Sequence, residues 1–212
     1  KKILLNPKTD ERIVLMGNSI TEGWSNFYPE YFKDKDIINR GISGQTTPQM
    51  LIRFKPDVID LNPDIVVILA GINDIAENTG PSSIKMITDN ITSMAKLAES
   101  HNIKVILSSV LPAYDFPWRP EIIPHYKILK INEFLQEYAI RNGHLYLDYF
   151  STLHDGNNGL IKKYGIDPVH PNRDGYIVMS ELLDQAIEKS LLNETSGNVI
   201  DRFEQKVFKK RN

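Results

Sequence analysis

The chain has 212 residues, of which 41% are hydrophobic and 25% charged, the balance of a single globular domain with a substantial core. Its 25 Lys and Arg residues against 27 Asp and Glu residues give a formal charge of −2, which provides no overall basic field for binding nucleic acid or an anionic membrane. It contains no cysteine, which excludes disulfides, thiolate metal sites and a cysteine nucleophile.

Continuous apolar runs predict the strands of a parallel sheet. Such runs, in contrast to alternating patterns, are typical of strands that are covered on both faces. In chain order the predicted strands are residues 12–17, the short pair 37–38, and residues 64–70, 103–110 and 144–147.

Apolar residues spaced three or four apart predict helices between these strands, each with one apolar face. The sets are Leu51, Phe54, Val58 and Leu61; Ile84, Ile87, Ile91, Met94 and Ala98; Ile128, Ile131, Leu135 and Tyr138; and Tyr176, Met179, Leu183 and Ala186. Pro56 falls within the first set, and we expect it to break or restart that helix. The alternation of strands and helices predicts right-handed crossovers and a doubly wound three-layer α/β sandwich.

The chain shows no change of composition that would mark a second large domain. We expect one domain over residues 1–192, followed over residues 193–212 by a polar C-terminal tail or a short appended helix. No apolar run is long enough to cross a bilayer. Because residue 1 is Lys and not Met, we expect a product that has lost a leader and is secreted or periplasmic, with the cytoplasm as the open alternative.

Four polar segments occupy positions where an open parallel sheet binds its ligands, beyond the carboxyl ends of the strands. They are residues 17–24, 39–47, 71–74 and 167–171. Each has an ordinary structural interpretation when taken alone. These interpretations are a helix N-cap at Ser19 with Glu22 following, turn glycines at Gly41 and Gly44, an Asx turn at Asn73-Asp74, and a turn at Asp167-Pro168 with a structural His170.

Taken together and in order, the segments resemble the four sequence blocks of the SGNH (GDSL-like) hydrolases. Gly17-Asn18-Ser19 looks like the first block, Gly-Asp-Ser; Gly41 matches the glycine of the second; Gly71-Ile72-Asn73-Asp74 matches Gly-x-Asn-Asp; and Asp167-Pro168-Val169-His170 matches Asp-x-x-His. The resemblance implies a flavodoxin-like five-stranded parallel sheet and ester hydrolysis through an acyl-enzyme. Asn18 departs from the family, which has Asp there.

The matched residues have the chemistry that such a reaction needs. A serine hydroxyl requires a neighbouring base, so Ser19 is the expected nucleophile, His170 the base and Asp167 the group that orients it. The oxyanion of the tetrahedral intermediate requires preorganised donors. For these we expect the backbone N–H of Ser19, the backbone N–H of Gly41 and the side-chain amide of Asn73.

The substrate pocket is less defined by the sequence. The Pro- and aromatic-rich segment 112–120 follows a predicted strand at the same edge of the sheet, and we expect Trp118 and Arg119 to contact substrate, with simple loop packing as the open alternative. Asn18 is a further tentative substrate contact. Trp24 is either core or pocket wall, and Asp74 is expected to fix its loop and not to act in catalysis.

The whole pattern looks like the acetylhydrolase-type branch of the family, which implies deacetylation of a carbohydrate. The open alternatives are a lysophospholipase or thioesterase, and a catalytically inactive carbohydrate-binding protein on the same fold. An ester is therefore the expected partner, and the oligomeric state is left open.

We expect no cofactor and no metal. Residues 43–47 superficially resemble a phosphate loop but contain no Walker lysine, and residues 155–159 lack a full calcium-loop pattern. The remaining histidines are scattered without the paired spacing of a zinc site.

Overall fold

The protein forms a five-stranded parallel sheet between two layers of helices. The computed structural model describes the backbone of residues 11–208 and the side chains of residues 11–192. The strands are β1 (Ile13–Gly17), β2 (Ile37–Gly41), β3 (Ile65–Leu69), β4 (Lys104–Ser108) and β5 (Leu145–Leu147), in the spatial order β2-β1-β3-β4-β5. This order has the topological switch of a flavodoxin-like sheet, so the prediction of a three-layer sandwich is confirmed.

The α-helices are α1 (Ser19–Phe27), α2 (Thr47–Asp57), α3 (Ile72–Ile75), α4 (Ile84–Glu99), α5 (His125–Arg141), α6 (Tyr149–Leu153) and α7 (Arg173–Phe208). Helices α1, α6 and α7 pack together on one side, and α2, α4 and α5 pack together on the other. Short 3₁₀ helices at Pro29–Phe32, Ile59–Leu61 and Lys162–Tyr164 connect these elements. No helix within the described part of the chain combines the length and apolar character needed to cross a bilayer.

The continuous apolar runs are buried because the central strands are covered on both faces. All five residues of β1 and all five of β3 are buried, and β4 is buried except at its first residue. The helix faces predicted from spacing also point inward, since Ile87, Ile91 and Ile128 are at most 1% exposed. Burial of these faces holds the helices against the sheet.

Strand β2 is longer than its two-residue apolar pattern predicts. It runs on through Asn39 and Arg40 to Gly41, in register with the end of β1 at Gly17. These last three residues are only partly buried, because β2 is an edge strand. An apolar pattern therefore misses them, although their backbone pairing continues the sheet.

Pro56 does not break the helix at its own position. It lies in the last turn of α2, which ends one residue later at Asp57, and the Val58 N–H still bonds to the Phe54 carbonyl at 2.9 Å. A proline removes only the hydrogen bond of its own missing N–H, and here that loss falls in the last turn of the helix. The expected interruption follows directly afterwards, where Ile59–Leu61 forms a separate 3₁₀ helix.

Positions 193–208 continue α7 without a break in the backbone. The expected separate tail or appended helix is thus described as an extension of the last helix, while residues 209–212 and the side chains beyond residue 192 lie outside the described residues. The domain division at residue 192 stays a prediction.

Candidate active site

The turn between β1 and α1 presents Ser19 at the first position of a helix. Asn18 is the N-cap, and its Oδ1 accepts a hydrogen bond from the Ile20 N–H at 3.1 Å. The interpretation of Ser19 as the cap is therefore wrong, and its hydroxyl is released from capping. Gly17 allows the turn to be tight, since a Cβ there would lie 2.0 Å from Thr21 Oγ1.

Asn18 is not placed to contact substrate. Its side chain is 1% exposed, and its Nδ2 is buried without a hydrogen-bond partner among the described residues. Its capping role explains this position, because an amide oxygen that serves the first turn of a helix must lie under that turn. The expectation of a substrate contact at Asn18 is accordingly corrected.

His170 meets Ser19 across the edge of the sheet. Ser19 Oγ and His170 Nε2 are 3.0 Å apart, although the residues are separated by 151 positions in the chain. His170 Nδ1 lies 2.8 Å from Asp167 Oδ2, and with a proton on Nδ1 the ring leaves Nε2 free to accept the serine proton. The structure thus brings together Ser19, His170 and Asp167, the three residues predicted from the first and last sequence blocks.

Asp167 is held in place by its own turn. Its Oδ1 accepts backbone hydrogen bonds from Val169 at 2.8 Å and His170 at 2.7 Å. Partial burial alone would raise the pKa of Asp167, but these two N–H groups and the His170 imidazole outweigh it and lower that pKa below its ordinary value. The Asp167 carboxylate therefore stays ionised to a lower pH than an ordinary aspartate does.

Helix α7 ties the histidine turn to the serine helix. The Ile166 N–H bonds to the His170 carbonyl at 2.9 Å, which closes the turn, and α7 begins three residues after His170. The buried Tyr176 on α7 donates its hydroxyl proton to the Ile20 carbonyl on α1 at 2.8 Å. This hydrogen bond links α7 to α1 near the Ser19–His170 contact, and it helps to fix the two helices relative to each other.

Gly41 does not have a free N–H group. Its N–H donates to Asn39 Oδ1 at 2.8 Å. A Cβ at Gly41 would lie 2.1 Å from the Glu22 backbone nitrogen, so a glycine is needed there for the close approach of β2 to α1. The expected oxyanion donor at Gly41 is therefore wrong, because the motif glycine has a packing role.

Gly44, three residues later, has the free N–H group that Gly41 lacks. It adopts a φ of +75°, and its N–H has no hydrogen-bond partner among the described residues. The turn is anchored on one side by Ser43, whose N–H and hydroxyl both donate to Glu22, and on the other by Asn78, which donates to the Gly44 carbonyl at 3.3 Å. The sequence alone does not show whether Gly41 or Gly44 offers a donor. The positive φ and the free N–H of Gly44 in the structure distinguish the two glycines.

The side chain of Asn73 lies in the same region. It is 6% exposed, and its Nδ2 donates one hydrogen bond to the Gln45 carbonyl at 2.9 Å, which leaves the second N–H of the amide without a partner among the described residues. The N–H of Ser19 also lacks a partner there, as expected at the first position of a helix. Ser19, Gly44 and Asn73 thus each retain a donor.

Arg53 is a residue that sequence reasoning missed. From α2 it donates to the Gly17 carbonyl at 2.9 Å and to the Arg40 carbonyl at 2.8 Å, and it pairs with Asp57 at 2.7 Å. It also bonds to the side chain of Gln45. One guanidinium therefore joins the end of β1, the end of β2 and the Gly44 turn, and an isolated Arg on a helix gives no sequence signal of this function.

Trp118 and Arg119, the two substrate contacts predicted in the loop after β4, lie in different surroundings. The ring of Trp118 is 46% exposed and its centroid lies 6.2 Å from that of His170, so it borders the candidate site. Arg119 instead pairs with Glu121 at 3.8 Å. Trp24 is core: it is 3% exposed and packs against Tyr31 and Tyr176.

The model of the GDSL-like Lipase/Acylhydrolase family matches residues 15–178, which include every residue of the site described above. The chain belongs to the GDSL-like lipase/acylhydrolase family. The resemblance found in the sequence is thereby confirmed.

Other members and structural neighbours are consistent with this family assignment. A GDSL-like lipase from Bacteroides thetaiotaomicron VPI-5482 is 48% identical, with a TM-score of 0.84 over 87% of this chain and 91% of that one. An arylesterase from Vibrio mimicus is 29% identical over 49% of this chain and 56% of its own length. The chain spans about half the length of the curated relatives it matches.

One structural neighbour has a low sequence identity to this chain, so the similarity shows the fold alone. A catalytic mutant of an acetylxylan esterase from Geobacillus stearothermophilus is 18% identical, with a TM-score of 0.67 over 86% of this chain and 96% of that one.

Within the described residues, no group of three or more His, Asp or Glu side chains is arranged to hold a metal ion.

Proposed function

We propose that this protein is a serine esterase that hydrolyses short-chain carboxylic esters through an acyl-enzyme. The observation that carries the proposal is the continuous hydrogen-bonded chain from Ser19 Oγ to His170 Nε2 at 3.0 Å and from His170 Nδ1 to Asp167 Oδ2 at 2.8 Å. This arrangement allows a serine hydroxyl to lose its proton as it attacks a carbonyl carbon.

In the proposed mechanism, His170 Nε2 takes the proton of Ser19 as its oxygen attacks the ester carbonyl. The imidazolium that forms is stabilised by the ionised Asp167, and it then protonates the leaving alcohol. The acyl-enzyme is hydrolysed by water, which His170 activates in the same way. In each half-reaction Nε2 accepts one proton and donates it again, first to the leaving alcohol and then, as the acid product leaves, to Ser19 Oγ, so no other acid or base is needed.

The negative charge of the tetrahedral intermediate requires donors that are already in place. We assign this role to the N–H groups of Ser19 and Gly44 and to the amide of Asn73, because each retains a donor without a partner among the described residues. Ser19 also lies at the N-terminus of α1, where the helix dipole favours an anion.

The proposed substrate is an acetyl ester of a carbohydrate. The support is the fold shared with an acetylxylan esterase and an exposed tryptophan beside His170, which offers a flat apolar face to a sugar ring. The lysophospholipase and thioesterase alternatives differ from this proposal in acyl-chain length.

The test combines covalent labelling with a substrate panel. A fluorophosphonate should label the wild-type chain and not Ser19→Ala, and p-nitrophenyl esters should be hydrolysed fastest at acetate. A maximum at long acyl chains would support a lipid or thioester substrate. Absence of labelling and turnover in the folded wild-type protein would support the inactive carbohydrate-binding alternative and overturn the esterase proposal.

A further inference from the structure

A cavity of about 500 Å³ adjoins the candidate site at Asp167. It lies between the loop after β4 and the segment that leads from α6 to the histidine turn. Its lining residues are Tyr114, Asp115, Asp155, Gly159, Leu160, Lys162, Gly165, Ile166, Asp167 and Pro168. A cavity of this size accommodates one or two sugar units or a similar small molecule.

Two of the four charged side chains that line the cavity have no partner among the described residues. Neither Asp115 nor Lys162 forms an ion pair or side-chain hydrogen bond with any described residue, so both can bind a ligand. The backbone N–H groups of Asn157 and Gly159 lower the pKa of Asp155, which keeps this carboxylate ionised. The Oδ2 of Asp155 accepts no hydrogen bond within the described part of the chain.

The charges of the lining favour some ligands over others. The lining includes three carboxylates, on Asp115, Asp155 and Asp167, and a single ammonium group, on Lys162. This excess of negative charge repels a phosphate or a carboxylate on the ligand, whereas it suits the hydroxyl groups of a neutral polyol, which donate hydrogen bonds to carboxylates.

Two exposed aromatic rings lie on the loop after β4, one at the cavity and one beside His170. Tyr114 lines the cavity and is 60% exposed, and Trp118, four residues later on the same loop, is 46% exposed and borders His170. An exposed ring presents a rigid apolar face at little conformational cost. A sugar ring has one apolar face of C–H groups and a rim of hydroxyls, which matches an aromatic ring beside carboxylates.

We propose that this cavity binds the alcohol side of the ester, and that the alcohol is a neutral sugar residue. Tyr114 stacks on the pyranose face, Asp115 and Asp155 accept hydrogen bonds from its hydroxyls, and Lys162 donates one. The inference rests on the proposed esterase function, and it adds both the binding site and the selection against acidic alcohols.

The first arm of the test compares a large substrate with a small one. Tyr114→Ala should lower kcat/KM on a neutral, partially acetylated xylo-oligosaccharide about tenfold more than on p-nitrophenyl acetate, through KM, because only the larger substrate loses a stacking contact; a tenfold change corresponds to about 1.4 kcal/mol. Tyr126→Ala is the matched control, since Tyr126 is also 60% exposed but does not line the cavity. Equal losses on both substrates, or an equal effect of the control, would overturn the proposal.

The second experiment tests whether the carboxylates of the cavity disfavour a negatively charged substrate. The wild-type protein should prefer the neutral xylo-oligosaccharide over one that carries a glucuronate next to the acetylated unit, and the double variant Asp115→Asn, Asp155→Asn should narrow this preference. The asparagine at 155 keeps the oxygen that accepts from Asn157 and Gly159. An unchanged preference, or a wild-type preference for the acidic substrate, contradicts the assignment.

The two proposals fail in distinguishable ways. If Ser19→Ala hydrolyses p-nitrophenyl acetate as fast as the wild type, the esterase mechanism itself is wrong. If the wild type hydrolyses p-nitrophenyl acetate through Ser19 but does not hydrolyse the acetylated xylo-oligosaccharide, the esterase proposal stands and only the sugar assignment of the cavity is overturned.

Discussion

The buried carboxylate of Asp74 accepts hydrogen bonds from both the backbone N–H and the hydroxyl of Thr47, at 3.0 and 2.6 Å. Thr47 begins α2, so this contact joins the segment after β2 to the segment after β3. The neighbouring bond from Asn73 to the Gln45 carbonyl joins the same two segments. Together they hold the proposed oxyanion donors Gly44 and Asn73 at a fixed separation.

Removal of this carboxylate should weaken both the fold and the site. Asp74→Ala leaves a buried N–H and hydroxyl without an acceptor, which costs about 1–3 kcal/mol of the free energy of unfolding. Turnover should also fall, because Asn73 loses its adjacent anchor. Urea unfolding and kcat on p-nitrophenyl acetate measure the two effects, and Thr47→Val, which keeps the backbone bond to Asp74, should lose less of each. Wild-type stability and turnover in Asp74→Ala would contradict this account.

Asp74 should also make stability depend on pH. Burial raises the pKa of Asp74 above its ordinary value of 3.8, against the hydrogen bonds from Thr47 that lower it. The folded state therefore binds this proton more tightly than the unfolded state does, so the stabilising contribution is complete below pH 3.8 and is lost as the pH rises through the raised pKa.

The neutral isostere Asp74→Asn isolates this contribution. Over the range just above pH 3.8, the free energy of unfolding of the wild type should decrease relative to that of Asp74→Asn. Urea unfolding at closely spaced pH values gives the difference between the two proteins. A constant difference across this range would show that the carboxyl group does not titrate there.

The fold could be predicted from the sequence because the apolar patterns of its strands and helices are local features of the chain. The runs around Val14 and Val66 are apolar on both faces, and a strand with two apolar faces belongs inside a parallel sheet. The proposed triad could be predicted only from the family motif, since Ser19 and His170 are separated by 151 positions and no local spacing connects them.

The errors arose where a backbone conformation decides the outcome. Gly41 and Gly44 are both glycines in one short segment, and only the structure shows that the first approaches α1 while the second turns with a positive φ. Asn18 is polar and precedes the proposed nucleophile, but its side chain caps the first turn of α1 and is buried there. Arg53 was missed because its four backbone and side-chain partners come from separate parts of the chain.

Asp167→Asn should abolish most of the activity while preserving the structure. An asparagine oxygen can still accept from the Val169 and His170 N–H groups, but the amide cannot stabilise an imidazolium and favours the wrong tautomer of His170. In a serine protease triad the equivalent change lowers kcat about 10⁴-fold, and we expect a loss of that order. Asp148→Asn is the control, since Asp148 also accepts from a backbone N–H, that of Ser151 at 3.0 Å, at a helix N-cap. Comparable losses of kcat in both variants would argue against a specific function for Asp167.

Asn73→Ala should lower kcat about 10²–10³-fold, the usual effect of losing one oxyanion donor. KM should change little, because the donor binds the charge that develops in the transition state. Asn78→Ala removes an amide from the same segment, one that donates to the Gly44 carbonyl and is not assigned to the oxyanion. Its kcat should decrease much less, and an Asn73→Ala variant with wild-type kcat would remove Asn73 from the mechanism.

Alanine should destabilise the protein more at Gly41 than at Gly44, the two glycines of the segment after β2. A Cβ at Gly41 meets the backbone of α1, with Glu22 N at 2.1 Å, so Gly41→Ala must push a helix away from the sheet and should cost about 3 kcal/mol. A Cβ at Gly44 meets nothing within 4 Å, so Gly44→Ala should cost only the left-handed backbone penalty, about 1–2 kcal/mol. Urea unfolding of the pair gives both values. The reverse order would mean that Gly41 is not closely packed and would reopen its assignment as the oxyanion donor.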